Sequence, residues 1–172
     1  MTLHAITVLG HDRPGIIAET THELAGLGLN LEDSSMTLLR GHFAMTLICA
    51  GEASHADITA ALAPLCEDGQ LTVTVREVPD EKDAERTGSS WVLTVHGGDR
   101  PGIVSAIAGE VALVGGNVTD LTTRLGRDLY VLVAEVDLPA AADSADIEAA
   151  LTAVGKQLGV GITWRPADTD EL

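Results

Sequence analysis

The sequence predicts an α+β protein made of two copies of one βαββαβ unit, and three observations support this. The phrase Asp-Arg-Pro-Gly-Ile occurs at 12–16 and again 87 positions later at 99–103. Ten further residues recur at the same offset, beginning with Thr7 and Thr94. Aromatic residues make up only 2% of a chain in which 45% of residues are hydrophobic. This composition favours thin two-layer cores of aliphatic side chains.

Each unit is predicted to begin with a strand and an amphipathic helix. Residues 3–9 and 90–96 are short β-rich runs, and each ends at a glycine. Apolar residues then recur at helical spacing, and the helices are predicted to end at Gly28 and Gly115, since glycine readily adopts the left-handed conformation that follows a helix. The residues with helical spacing are Ile16, Ile17, Thr20, Leu24 and Leu27, and Ile103, Val104, Ile107, Val111 and Val114.

A hairpin, a second helix and a last strand are predicted to complete each unit. The hairpins join 30–38 to 42–50 and 118–125 to 129–136, through turns at 39–41 and 126–128. Helical spacing returns at 54–66 and 144–158 behind serine caps, and strand character returns at 71–75 and 160–164. This order is the ferredoxin-like plan, in which two helices cover one face of a four-stranded antiparallel sheet.

The predicted domain boundaries follow from the repeat. The first unit covers 1–78, a charged linker covers 79–89, the second unit covers 90–166, and a solvated tail covers 167–172. The uncovered faces and edges of the two sheets need partners. The other unit, or a second copy in a homodimer, could supply them.

Charge and cysteine content exclude several classes of protein. The chain has 26 acidic residues against 10 lysines and arginines, and this net charge of −16 repels nucleic acid backbones and anionic membrane surfaces. We therefore expect no direct binding to nucleic acid and no membrane association. The two cysteines, Cys49 and Cys66, form no disulfide framework, and no signal-like segment opens the chain, so we expect a cytoplasmic protein.

The repeated phrase predicts a helix start that can bind an anion. Pro14 sets a helical φ, and Gly15 leaves the following amides open to close approach by a carboxylate. Asp12 could cap this helix through the amide of Gly15, which needs no ligand, or it could hold the ammonium group of an amino acid. Arg13 and Arg100 could bind a partner's carboxylate or could simply be solvated.

Two asparagines at the start of the predicted second strand, Asn30 and Asn117, could add polar contacts, although Asn30 could also be a turn residue. That strand end is expected to lie close to the start of the first helix of the neighbouring unit or of its own. The candidate ligand-binding residues are Gly10, His11, Asp12, Arg13, Pro14, Gly15, Ile16, Asn30, Gly97, Asp99, Arg100, Pro101, Gly102, Ile103 and Asn117.

Metal binding and catalysis are not predicted. The six histidines form no His-x-x-x-His motif, and the cysteines form no Cys-x-x-Cys motif. Cys49 lies in an apolar run and is expected in the core, where a thiol is a poor nucleophile. We therefore expect no metal, no cofactor and no catalytic residue.

Each unit resembles the ACT domain family of amino-acid-sensing modules. The resemblance rests on a strand followed by Gly-x-Asp-Arg-Pro-Gly-Ile, on the amphipathic helix, and on Leu-Gly-Leu-Asn-Leu at 27–31. The resemblance covers both units, and it extends to regulators that consist of two ACT units and contact a transcription activator instead of DNA. It implies that a small amino acid binds at an interface between ACT units, at the loops 10–16 and 97–103 and at Asn30 and Asn117.

The resemblance leaves the ligand's identity open, because serine-sensing members often have asparagine at the positions of Asp12 and Asp99. A carboxylate there favours an ammonium group, and therefore glycine, serine or a small apolar amino acid over glutamate. The two loops also differ, since Gly98 replaces His11, and one copy could be purely structural.

The expected function is that of an amino-acid-responsive regulatory protein that acts on a protein partner, such as a transcription regulator or a metabolic enzyme. The alternatives are a ligand-independent interaction module or regulatory subunit of a metabolic enzyme, and a small enzyme.

Overall fold

The computed structural model describes residues 1–80, 88–127 and 129–167. The chain divides into two compact units, residues 1–82 and 83–172. Each unit follows the predicted βαββαβ order, and its strands form one four-stranded antiparallel sheet. The predicted fold class, two ferredoxin-like units, is therefore confirmed.

The first unit places two of its longest strands in the middle of the sheet. The strand order is β2-β3-β1-β4, so β2 and β4 form the edges. Its elements are β1 (Thr2–His11), α1 (Ile16–Gly26), β2 (Asn30–Leu39), β3 (His42–Gly51), α2 (His55–Leu62) and β4 (Leu71–Val78).

The second unit repeats this arrangement with the order β6-β7-β5-β8. The register also repeats, because Leu38 pairs with Phe43 in the first unit and Leu125 pairs with Tyr130 in the second. Its elements are β5 (Ser89–Gly97), α3 (Ile103–Leu113), β6 (Asn117–Leu125), β7 (Tyr130–Leu138), α4 (Ser144–Leu158) and β8 (Val160–Pro166).

Each unit has its own core, which is mostly aliphatic. Strand residues alternate between buried and less buried positions, as expected when helices cover one face of a sheet. Fully buried side chains of the first core include Ile6, Val8, Ile58 and Leu62, and those of the second include Leu93, Val95, Leu132 and Leu151.

The second helix of each unit differs from the prediction at one of its ends. Helix α2 ends at Leu62 and continues as a 3-10 turn over Ala63–Cys66, because Pro64 has no N–H to extend the α-helical hydrogen bonds. Ser54 caps α2 as predicted, accepting a hydrogen bond from the Asp57 amide at 3.1 Å. The prediction that Ser144 caps α4 is wrong. Asp143 caps α4 instead, because it is still extended and its carboxylate accepts from the Ala145 amide at 2.8 Å.

The predicted linker and tail are only partly described. Residues 81–87 of the linker, residues 168–172 of the tail and residue 128 of a predicted turn lie outside the described residues. Ser89 belongs to β5 and not to the linker. The amide of Ala167, predicted to start the solvated tail, donates to the Ser90 carbonyl at 2.9 Å.

One histidine of the first unit is buried without hydrogen-bond partners among the described residues. His4 is completely buried in β1, and neither ring nitrogen has a hydrogen-bond partner among the described residues. Burial of a polar group without a hydrogen bond costs free energy. We therefore expect His4→Leu to raise the free energy of unfolding by about 1 to 2 kcal/mol in urea denaturation.

His55 provides the matched control for this substitution. Its Nε2 atom lies 3.1 Å from the Val75 carbonyl oxygen, so His55→Leu should lower stability through loss of that contact. Equal destabilisation by His4→Leu and His55→Leu would contradict this inference. It would mean that the His4 ring has a stabilising partner and that burial of its nitrogens does not lower the free energy of unfolding.

Candidate functional site

The loop between β1 and α1 is held in place by backbone hydrogen bonds on both sides. The amide of His11 donates to the Gln70 carbonyl at 3.0 Å, just before β4. The amide of Asp12 donates to the Gly41 carbonyl at 3.1 Å, in the turn that joins β2 to β3. The loop is therefore fixed relative to the end of the sheet.

Helix α1 begins without a side-chain cap. Gly15 occupies the N-cap position with a φ of 95°, in the left-handed region that favours glycine. Gly102 has the same role before α3, with a φ of 93°, and again no side chain caps the helix. The interpretation of Asp12 as a helix cap is therefore wrong. The amides at both helix starts remain without a side-chain acceptor.

Asp12 is exposed at this helix start. Within the described ranges its carboxylate has no ion pair and accepts no hydrogen bond. An unpaired carboxylate beside free amides presents a negative group next to a partly positive helix end. The two ends of a zwitterionic amino acid carry the complementary charges.

A groove of about 530 Å³ opens beside this loop. Residues 12–18 form one side, and Met36, Leu38 and Phe43 of the hairpin form the other. Phe43 is only 3% exposed and forms the floor, whereas Met36 and Leu38 are 48% and 50% exposed. The helix start therefore has an apolar wall beside it.

The sequence alone did not identify the hairpin residues of this groove, because no local motif contains them. The repeat contained one clue to these hairpin residues, because Leu38 recurs as Leu125 in the second unit. In the second unit, Thr123 and Tyr130 stand where the first has Met36 and Phe43, so the two helix starts have different surroundings.

Arg13 is paired within its own unit. Its Nη1 and Nη2 atoms donate to Oε1 and Oε2 of Glu19 at 2.8 and 2.7 Å. This hydrogen-bonded pair raises the pKa of Arg13 and lowers the pKa of Glu19. Arg13 is thus neither free nor simply solvated. Arg100 differs, because Ala106 replaces Glu19 in the second unit and Arg100 lies beside Gly159 after α4.

Asn30 lies at the far end of its own sheet. It pairs with Ala50, which pairs with Leu3, whereas the loop follows His11 at the other end of β1. Eight residues of strand correspond to about 26 Å. The expectation that Asn30 lies near the first helix start of its own unit is therefore wrong.

Asn117 occupies the corresponding place in the second unit. It pairs with Asp137, which pairs with Ser90, whereas the loop follows Gly97. Asn117 is therefore also far from its own helix start. Both asparagines are exposed, and their contact with another ACT-like unit stays a prediction.

The other predicted loop residues lie together at the helix starts. Asp12, Arg13, Pro14, Gly15 and Ile16 line the groove, although Ile16 is largely buried. Gly10 is the second-to-last residue of β1 and lies close to the backbone just before β4. Gly97, Asp99, Pro101, Gly102 and Ile103 occupy the corresponding positions before α3.

Cys49 is shielded from solvent, and the acidic side chains of the described residues do not gather around a metal position. Cys49 is buried in the first core, as predicted, and its burial raises the pKa of the thiol, which disfavours the nucleophilic thiolate. Among the described residues, no three His, Cys, Asp or Glu side chains come together as a metal site. None of the helices in the described ranges is long and apolar enough to span a bilayer.

Comparison with known proteins agrees with this geometry. The sequence pattern of the ACT domain matches residues 3–76 and 90–164. The glycine cleavage system transcriptional repressor of Escherichia coli K12 is 26% identical over 160 residues, which cover 89% of this chain and 84% of that protein.

Solved structures show the same two-unit fold. A protein of unknown role from Galdieria sulphuraria matches with a TM-score of 0.80 and 25% identity, over 96% of this chain and 98% of its own. A structure provisionally assigned as a glycine cleavage system transcriptional repressor matches with a TM-score of 0.70 and 17% identity, over 96% and 97% of the two chains.

The Escherichia coli relative, which matches most of the chain, is thus a transcriptional repressor by name. The two matched stretches together cover most of the sequence. The chain belongs to the ACT domain family and carries two ACT domains in tandem.

Proposed function

We propose that the protein is an amino-acid-sensing regulator that passes the binding of a small amino acid on to a protein partner, in transcriptional control of amino-acid metabolism without direct DNA binding. One observation carries this proposal. The uncapped start of α1 lies beside the unpaired Asp12 carboxylate and an apolar groove.

The three parts of this site match the three parts of an α-amino acid. The carboxylate of the ligand would accept hydrogen bonds from the free amides at the start of α1. Its ammonium group would pair with Asp12 in a charge-assisted hydrogen bond. Its side chain would lie against Met36, Leu38 and Phe43.

The groove narrows the choice of ligand. Each buried CH₂ group contributes roughly 0.8 kcal/mol, so a small apolar side chain would bind more tightly than the hydrogen of glycine. An acidic side chain would face Asp12 within a protein of net charge −16. The proposed order is therefore a small apolar amino acid first, then glycine and serine, with glutamate disfavoured.

The ligand would act by changing how ACT domains associate. Asn30 or Asn117 of another ACT domain could complete the site, for example in a homodimer. A ligand that binds one arrangement more tightly shifts the population toward it. The partner that detects this change would be a transcription regulator or a metabolic enzyme. Two free cysteines agree with the reducing cytoplasm as the place of action.

Thermal unfolding in the presence of each of the twenty amino acids tests the proposal. We expect a small apolar amino acid, or glycine or serine, to raise the melting temperature at millimolar concentration. A ligand at 100 times its Kd adds about 2.7 kcal/mol to the stability. Asp12→Ala combined with Asp99→Ala should abolish the response.

A matched control removes the same number of charges elsewhere. Glu23 and Glu110 occupy equivalent places near the far ends of α1 and α3, so Glu23→Ala with Glu110→Ala should leave the response intact. A full response in the aspartate double variant would show that the site is assigned wrongly. No response to any amino acid in the wild type would rule out sensing.

A second candidate function is a ligand-independent interaction module or regulatory subunit of a metabolic enzyme. The edge strand β2 favours it, because Leu31, Met36 and Leu38 are exposed along that strand. This alternative predicts partner binding of equal affinity with and without every amino acid.

A further inference from the structure

Two histidines from different strands meet at one end of the first unit's sheet. His11 is the last residue of β1, His42 is the first residue of β3, and the two are paired in register. Their ring centroids are 6.5 Å apart and the ring planes are nearly perpendicular, at 86°. Since the two residues lie far apart in sequence, no spacing motif could have revealed the pair.

Both rings are available to a ligand. His11 and His42 are exposed, and neither imidazole makes a hydrogen bond to any residue in the described ranges. A neutral imidazole offers one unprotonated nitrogen and is the commonest metal-binding side chain. Two such rings on neighbouring strands therefore form a bidentate donor set.

The distance between the rings suits a shared metal ion after a small side-chain adjustment. With Zn–N bonds of about 2.0 to 2.1 Å, two imidazoles on one tetrahedral ion have centroids about 5 Å apart. The observed centroid separation of 6.5 Å is larger by about 1.5 Å. Exposed histidines can close this gap by rotation about their side-chain torsions, with the backbone of the paired strands unchanged.

The surrounding charge favours a cation at this position. Asp12 follows His11 directly and its carboxylate has no ion-pair partner in the described part of the chain. The net charge of −16 adds a general attraction for cations. The second unit lacks the pair, because Gly98 and Leu129 stand at the equivalent positions.

We propose that His11 and His42 form a binding site for a divalent transition-metal ion of the zinc, nickel or copper class. Water completes the coordination, so the site is exchangeable and differs from a closed four-residue structural site. The site shares His11 with the predicted amino-acid loop at 10–16, but it does not depend on amino-acid sensing. The expectation of no metal rested on local sequence spacing, which cannot detect donors on paired strands.

Isothermal titration of the untagged full-length chain with zinc chloride tests this proposal. We expect one Zn²⁺ per chain with micromolar affinity. His11→Ala and His42→Ala should each weaken binding by more than about tenfold, since even loss of an outer-shell partner costs 10- to 100-fold. The control His22→Ala removes a histidine on α1, away from the pair, and should leave the affinity unchanged.

Two results would overturn the proposal. One is the absence of zinc binding by the folded wild type. The other is an affinity in His42→Ala equal to that of the wild type, which would place any bound zinc elsewhere. His42→Gln, which keeps a polar side chain, and circular dichroism of each variant separate loss of donor from loss of fold. Because the titration contains no amino acid, its outcome is independent of the proposed sensing function.

Discussion

Gly10→Ala is expected to lower the free energy of unfolding by about 4 kcal/mol or more, which is exceptional for a single methyl group. A Cβ atom at Gly10 would overlap the carbonyl oxygen and carbon of Gln70 and the Cα atom of Leu71. These are backbone atoms, so no side-chain rotation relieves the clash. The Gln70 carbonyl also accepts the hydrogen bond from the His11 amide, at 3.0 Å.

The strands can separate at this point only by losing pairs between β1 and β4. Gly10 pairs with Leu71, which is itself buried in the first core. Relief of the overlap would therefore disturb both the ladder and the packing. The same movement would displace the Asp12 loop, so the variant should also lose any response to an amino acid.

Gly26→Ala is the matched control for Gly10→Ala. Gly26 is the last residue of α1 and a Cβ atom there would meet no atom within 4 Å. We expect a change of less than about 1 kcal/mol, in the stabilising direction, because alanine is the better helix former. Urea denaturation of both variants measures the difference. Equal stability of the two variants would mean that β1 does not approach Gln70 closely.

Phe43→Ala has the second largest expected effect, a loss of about 3 to 5 kcal/mol. Phe43 is 3% exposed and packs in the first core while it forms the floor of the groove beside Asp12. Its truncation removes buried apolar contacts and leaves a cavity. The groove would also become deeper, so any preference for a small apolar ligand should weaken.

Leu38→Ala separates these two roles. Leu38 lines the same groove and pairs with Phe43 in register, but it is 50% exposed. We expect it to change the stability by less than about 1 kcal/mol while it weakens binding of an apolar amino acid. A loss of stability in Leu38→Ala as large as that in Phe43→Ala would contradict the distinction between floor and rim.

Most of the fold could be predicted because the information was local. Short β-rich runs indicated the strands, and apolar residues at helical spacing indicated the helices. The repeat then showed the same order of elements in both units. The hairpin turn at Arg40 and Gly41 follows the same logic, since both residues have positive φ, at 51° and 82°, in the two-residue turn that joins antiparallel strands. The errors at Pro64 and Ser144 concern helix ends, where one residue decides between competing conformations.

The site was less predictable because its parts come from distant positions in the chain. Asp12 and Gly15 belong to one motif, and the sequence identified them. Met36 and Phe43 reach the groove only through strand pairing, and His11 meets His42 in the same way. Asn30 was misplaced relative to its own helix because the length of β2 carries it to the opposite end of the sheet.

Amino-acid sensing by this protein depends above all on ligand binding at the start of α1. Two-dimensional ¹H–¹⁵N NMR of the full-length chain, titrated with the amino acid that most stabilises it, tests for binding there. We expect the largest amide shifts at Gly15, Ile16 and Ile17, and we expect them to disappear in Asp12→Ala. Saturable shifts centred elsewhere in the chain, with these three amides unchanged, would show that the ligand binds at another place.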